Sequence, residues 1–301
     1  MKLAVTGGTG FVGARLLALA EGGPHGIKAL TRRPQPPRNG VEWVQGALED
    51  RDALHRLVHD ADAVIHIAGV VNAPDAAGFE AGNVTGTLSL LAAATAAGVH
   101  RFVHVSSLAA REPGLSLYGA SKAKGERLVT GSGLDWAVVR PPAVYGPGDR
   151  ELLELFKAAC LGIMPLPPAG RLSLIHADDL ARLLLRLGEP RTPSRVAYEP
   201  DDGRPGGYTH KEFAGAIGAA TGRRPLLFHV PAPLLRAAAR VDRLVRRGQA
   251  KLTPDRAAYF SHPDWVSDPG RKPPEELWQP RIIAPQGLAE TAEWYRRCGW
   301  L

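Results

Sequence analysis

Apolar and polar positions divide the first half of the chain into two alternating textures. The runs LAVT (3–6), IKALT (27–31), VEWVQ (41–45), AVIHIA (63–68), RFVHVS (101–106) and DWAVVR (135–140) are apolar almost throughout and read as strands. Unbroken apolar runs of this length suit strands whose two faces are both covered. Between them, stretches rich in alanine and leucine predict helices near 11–20, 51–59, 80–97 and 118–130. Alternation of this kind builds βαβ units. The expected fold is α/β, a Rossmann-type doubly wound parallel sheet.

After Arg140 the texture changes. Prolines and glycines gather in PPAVYGPGD (141–149), PLPPAG (165–170) and EPDDGRPGG (199–207). Residues 1–150 therefore read as the sheet domain, and 151–301 as a smaller, loop-rich C-terminal substrate-binding region. Helices are expected there near 151–161, 178–187, 210–221, 233–247 and 286–297. Residues 171–187 are a segment able to return to the main sheet. No internal repeat is visible.

Composition narrows the function classes. The chain has 301 residues, 45% hydrophobic and 22% charged, as in an ordinary globular protein with a substantial core. No apolar run approaches the roughly 18 residues that span a bilayer, and MKLAVTGG reads as a first strand entering a turn, not a signal peptide. The only cysteines are Cys160 and Cys298, which argues against a disulfide framework and fits a reducing cytoplasm. Ten histidines occur without metal-ligand spacing, so no metal site is expected. The net charge of +7 is concentrated in residues 234–251, with Arg236, Arg240, Arg243, Arg246, Arg247 and Lys251 against Asp242. No nucleic-acid module surrounds it, so no nucleic-acid partner is expected. Leu234, Ala238, Val241 and Leu244 or Val245 recur there at helical spacing. The plain reading is the solvated face of an outer helix. The alternative is weak docking of something anionic: a membrane surface, an acyl-carrier partner or the phosphate of a lipid-like substrate.

Two stretches carry chemistry. In TGGTGFVG (6–13), Gly7, Gly10 and Gly13 follow the first strand and open a helix. Glycines at that spacing permit a tight turn, approach of backbone N–H groups to a pyrophosphate, and close helix–strand packing. The second strand ends in Arg32 and Arg33 with no acidic competitor, which favours the 2′-phosphate of NADP over the ribose hydroxyl of NAD. In YGASKAKGE (118–126), Tyr118 and Lys122 stand four apart on one helix face, with only Gly119, Ala120 and Ser121 between them. A nearby cation would lower the phenol toward working pH and make it a proton carrier.

TGGTGFVG, HIAG (66–69), NVTGT (83–87), VSS (105–107), YGASK (118–122), RPPAVYGPGD (140–149) and IHADDLA (175–181) occur in this order. Together they resemble the extended short-chain dehydrogenase/reductase superfamily, in its NAD(P)-dependent epimerase/dehydratase group. The resemblance implies a catalytic set of Ser107, Tyr118 and Lys122, with Ser106 the lesser candidate for the serine. It implies cofactor contacts from Gly7, Gly10, Phe11, Val12, Gly13, Ala68, Gly69, Asn83, Pro141 and Val144, as well as from Tyr118 and Lys122. Ala47 stands where many relatives carry an aspartate for the adenine, leaving Leu48 to pack there. Tyr145 is expected to pack, while His176 and Asp179 read equally as a substrate contact or as a helix start.

The reaction expected is hydride transfer between a nicotinamide and an alcohol or ketone, as in hydroxysteroid dehydrogenases and dihydroflavonol reductases. Leu108 and Ala109 follow Ser107 where dehydratases of the family place an acidic pair. Ala143 stands where sugar-nucleotide enzymes commonly carry asparagine, which points to a less polar substrate. A nucleotide-sugar epimerase and a non-catalytic dinucleotide-binding protein remain the alternatives. Oligomeric state is left open, a homodimer included.

Overall fold

The computed structural model describes residues 1–246 and 252–301, apart from the Arg243 side chain. Arg247 and Lys251 of the basic segment lie outside the described residues.

The first elements in chain order are β1 (Lys2–Thr6), α1 (Phe11–Ala20), β2 (Gly26–Thr31), β3 (Val41–Gln45), α2 (Arg51–Val58) and β4 (Ala63–His66). They are followed by α3 (Ala76–Glu80), α4 (Gly86–Ala96), β5 (Arg101–Val105), α5 (Leu117–Thr130) and β6 (Asp135–Val139). Local chemistry sets several boundaries. The Asp50 side chain accepts the Ala53 amide at the start of α2, and Ser116 accepts the Gly119 amide at the start of α5. In α2, Ala53, Leu54, Leu57 and Val58 are buried and the charged positions face out.

The helix expected over 80–97 is not continuous. Residues Ala81–Thr85 form a π-helical turn between α3 and α4. The wider turn carries the buried Asn83, whose inward hydrogen bonds are described below. At its end a Cβ on Gly86 would lie 2.7 Å from Leu48 Cδ1, so any larger residue would have to displace that side chain.

The chain continues with β7 (Ala143–Tyr145), α6 (Leu153–Cys160), β8 (Ile163–Leu166), β9 (Arg171–Leu172), β10 (Leu174–His176), α7 (Ala177–Gly188) and β11 (Val196–Tyr198). It ends with β12 (Tyr208–Thr209), α8 (His210–Thr221), β13 (Leu226–His229), α9 (Ala232–Arg246), α10 (Pro254–Phe260), β14 (Asp264–Trp265) and α11 (Ala284–Arg297).

These elements fall into two compact units. The first comprises 1–141, 178–199 and 273–279. Its seven-stranded sheet runs β11-β6-β5-β4-β1-β2-β3, with every pairing parallel. Strand order reverses between β1 and β4, the position at which doubly wound sheets open a crevice beyond the strand carboxyl ends. Buried Ala4, Val64, Phe102 and Val138 from the sheet, with Leu54, Leu57, Leu90 and Val129 from helices, form its core. β11 was not read from the sequence; three residues are too few for a periodic signal. It is this strand, with α7 before it, that extends the main sheet, while 171–176 lie in the second unit.

The second unit comprises 142–177, 200–272 and 280–301, and packs around Tyr145, Phe156, Phe213, Ile217, Leu288 and Tyr295. It has small sheets pairing β10 with β7, β13 with β8, and β9 with β12 and β14. These short strands were not read individually from the sequence. Its helix α8 opens with a capping box between Thr209 and Glu212 and ends on Gly222 in the left-handed region (φ 72°).

Candidate active site

The turn after β1 is shaped for backbone approach. Gly7 has φ +76°, and a Cβ there would lie 2.6 Å from the Ala68 amide nitrogen. A Cβ on Gly13 would lie 2.1 Å from the Gly7 carbonyl oxygen, so α1 is pressed onto the turn. Gly10 caps α1 without a side-chain hydrogen bond, and no acidic residue stands in the first turn. The amides around Phe11 and Val12 are thus left for an anion, which suits a dinucleotide pyrophosphate. Arg32 and Arg33 are exposed just past the end of β2, next to β1 in the sheet. The Thr31 hydroxyl fixes their turn, donating to the Arg33 carbonyl at 2.7 Å. Leu48 lies half-buried over Gly86. These features fit a dinucleotide.

Asn83 holds the neighbouring loop. Its Oδ1 accepts the Val70 amide at 2.7 Å, and its Nδ2 donates to the Val70 carbonyl and to Ser121 Oγ, both at 2.9 Å. A Cβ on Gly69 would come within 3.1 Å of Asn83 Oδ1 and 3.4 Å of Lys122 Nζ. Beneath them, buried His66 bridges Thr6 Oγ1 at 2.7 Å and Thr87 Oγ1 at 2.9 Å. Burial holds the His66 imidazole down to about 3, with the Lys122 charge adding to the effect. His66 is therefore neutral.

Ser107 and Tyr118 are brought together. Ser107 ends the β5 segment, caps the short 3₁₀ turn Leu108–Arg111 and accepts the Ala109 amide at 3.2 Å. Its side chain also hydrogen-bonds the Tyr118 hydroxyl. Ser106 is buried, and its hydroxyl has no partner. The expected lowering of the phenol by Lys122 is not found. Burial pushes Tyr118 above its ordinary value, and the Ser107 hydrogen bond offsets this only in part. The buried Lys122 ammonium is drawn instead to the Val105 carbonyl, 2.7 Å away. Burial lowers Lys122 to about 8, against the opposing pull of Glu126.

An ion-pair chain that the sequence did not suggest stands behind this helix. Arg140 holds Glu126 in a two-pronged pair at 2.9 and 2.6 Å and reaches Glu199 at 3.4 Å. Arg111 meets the other oxygen of the fully buried Glu199 at 3.1 Å. These four residues come from separate stretches of the sequence; Glu126 and Arg140 stand at the edges of YGASKAKGE and RPPAVYGPGD, while Arg111 and Glu199 belong to neither. Pro141 accepts the Leu108 amide at 3.1 Å, tying the same region to the serine turn.

Tyr145 is fully buried, edge-on to His176, with its hydroxyl unpartnered. A Cβ on Gly287 would lie 2.7 Å from that hydroxyl, so the ring is enclosed. Val144 pairs with Ile175 in the second unit. Asp178 makes a two-pronged pair with Arg15, and Asp179 pairs with Arg182. Among the described residues no group of three or more His, Cys, Asp or Glu side chains could hold a metal ion, and no helix is long and apolar enough to cross a membrane.

Residues 3–196 match the NAD dependent epimerase/dehydratase family. The chain belongs to this family. A ceramide reductase of Caulobacter vibrioides (strain NA1000 / CB15N) is 39% identical over 311 aligned residues, covering 99% of this chain and 96% of that one. A 3 beta-hydroxysteroid dehydrogenase/Delta 5-->4-isomerase of Mycobacterium tuberculosis (strain ATCC 25618 / H37Rv) is 28% identical, covering 78% and 73%. Among solved structures, the Bordetella bronchiseptica enzyme WbmG in complex with NAD superimposes with a TM-score of 0.76 at 20% identity, covering 100% of this chain and 95% of that one. As a family member the chain is a dinucleotide-dependent oxidoreductase.

Proposed function

We propose that this family member is a reductase, favouring NADP over NAD, that acts on the carbonyl of a relatively apolar, long-chain lipid. The observation that carries the reading is the hydrogen-bonded pair Ser107–Tyr118 with its phenol above the ordinary value. A phenol that keeps its proton at neutral pH is suited to give one to a carbonyl oxygen that is gaining charge. Ser107 would hold that oxygen beside the phenol. The Gly7–Gly13 turn would take the pyrophosphate, Lys122 the nicotinamide ribose hydroxyls, and Arg32 and Arg33 the 2′-phosphate. When bound, the dinucleotide supplies the hydride that goes to the carbonyl carbon. The proton from Tyr118 completes the alcohol.

Two local features support an apolar substrate. Leu108 and Ala109, where an acidic pair would serve dehydration, are buried apolar residues, and Ala143 offers no polar contact to a sugar. The ceramide reductase resemblance, running over 99% of the chain, supports a sphingoid-type keto lipid as the substrate class.

The test follows nicotinamide absorbance with NADPH or NADH against long-chain keto lipids, simple ketones and UDP- or dTDP-sugars. Consumption of NADPH with a keto lipid is the expected result. Interconversion of a sugar nucleotide with no net change in cofactor would replace this reading by an epimerase.

A further inference from the structure

Helix α9 turns its apolar stripe outward. Positions 234, 238, 241 and 245 share one face by helical spacing, with 244 at its edge. Leu234 is 60% exposed, Leu244 78% and Val245 75%, whereas among the described residues of α9 it is Ala239 that is buried. A helix on the rim of a globular unit normally does the reverse. Arg236 and Arg240 are exposed beside the stripe, and among the described residues neither has an acidic partner. The helix's one acid, Asp242, pairs with Arg246 at 3.1 Å and accepts the Leu252 amide at 2.8 Å.

The segment leading into α9 has the same character. Strand β13 exposes Leu226 and Phe228, and its parallel register with β8 places exposed Ile163 opposite Leu226. Exposed Arg223 and Arg224 precede β13 and line a cavity of about 480 Å³ at the end of α8. Exposed aliphatic side chains flanked by unneutralised arginines complement a surface that is negative outside and apolar beneath.

We propose that α9, with the exposed face of β13 and β8, docks the protein reversibly on an anionic phospholipid bilayer. Leu234, Val241, Leu244 and Val245 enter the headgroup–acyl boundary with the helix lying in the plane. Arg236, Arg240, Arg223 and Arg224 meet lipid phosphates, each near-surface cation strengthening attachment about fivefold. Docking goes beyond the reductase reading and stands or falls separately from it.

The experiment sediments the whole protein with vesicles of phosphatidylcholine alone or mixed with phosphatidylglycerol, at low and physiological salt. Recovery with the anionic vesicles, reduced by salt, is expected. Arg236→Glu with Arg240→Glu should lower the bound fraction by more than an order of magnitude, as should Leu244→Glu with Val245→Glu. Leu244→Ser with Val245→Ser is the milder pair, should the charged one fail to fold. Turnover of a soluble ketone should stay unchanged in all of them. Equal recovery in the supernatant under all four conditions would overturn the proposal, as would unaltered binding by the folded variants. A concentration-dependent dimer abolished by the Leu244 and Val245 changes, with no vesicle binding, would also overturn it by assigning the stripe to a second copy.

Discussion

The Lys122 ammonium donates to the Val105 carbonyl at 2.7 Å, so helix α5 is pinned to the end of the strand that precedes Ser107. One bond to a neutral acceptor does not repay the hydration lost on burial, and Lys122 falls to about 8.

That shift has a pH signature. Between pH about 8 and 10.5 the unfolded chain holds a proton at Lys122 that the folded chain has lost, so stability rises with pH across this window. The cost is fully present below pH 8. The gain is on the order of 3 kcal/mol at most. Urea unfolding of the wild type and Lys122→Met at several pH values should show the wild type gaining on the variant from pH 8 upward. A pH-independent difference would show that Lys122 keeps its ordinary value.

The two-pronged pair between Glu126 and Arg140 gives a second expectation. Glu126→Gln leaves Arg140, half-buried, with a neutral amide oxygen in place of the two-pronged carboxylate and only the longer charged contact to Glu199 at 3.4 Å. Removing one member of a buried pair costs roughly 3–5 kcal/mol. The variant should also lower Lys122 further, since Glu126 is the group that raises it. Thermal unfolding and the alkaline limb of activity would read the two effects separately. An unchanged midpoint would mean that solvent screens the pair.

Much of the first unit was legible because its inner strands β1, β4 and β5 are buried on both faces. Residues 41–45 and 11–20 have the bounds their patterns suggested, and so does 210–221 in the second unit. The π-helical turn Ala81–Thr85 was not legible, because a change of hydrogen-bond register leaves alanine-rich sequence looking helical. The short strands β7 to β14 were missed because two to four residues carry no period and owe their state to partners distant in sequence. The glycine turn and the Tyr118–Lys122 spacing announced themselves locally. Glu199 and Arg111 did not, because their significance lies in contacts between different strands and helices. The stripe on α9 was read at its correct spacing, but whether an apolar stripe faces inward is decided by its neighbours, and here it does not.

Tyr118→Phe separates proton supply from binding. The phenol hydroxyl is lost while the ring and its packing remain, so kcat should fall by a hundredfold or more. NADPH affinity, followed by fluorescence, should change little. Ser107→Ala should lower kcat as well and raise Tyr118 further, because it removes the hydrogen bond that opposes burial. Near wild-type turnover by Tyr118→Phe on a confirmed substrate would exclude the phenol as proton donor.

Arg32 and Arg33 bear on cofactor choice. Both side chains are exposed beyond the end of β2, with the Thr31 hydroxyl holding the backbone of their turn. An exposed guanidinium is free to meet a 2′-phosphate, and a charge-assisted contact of that kind contributes about 1.5–3 kcal/mol, roughly tenfold to a hundredfold in affinity. Replacing both with alanine should weaken NADPH by that factor, leave NADH nearly unchanged, and so remove most of the preference. Thr31→Val should act in the same direction more weakly, because it frees the turn without removing either charge. Titration of wild type and variants with both cofactors at fixed salt decides the matter. Equal wild-type affinities for NADPH and NADH would sink the assignment, and a loss falling equally on both would place the arginines in contact with a group the two cofactors share.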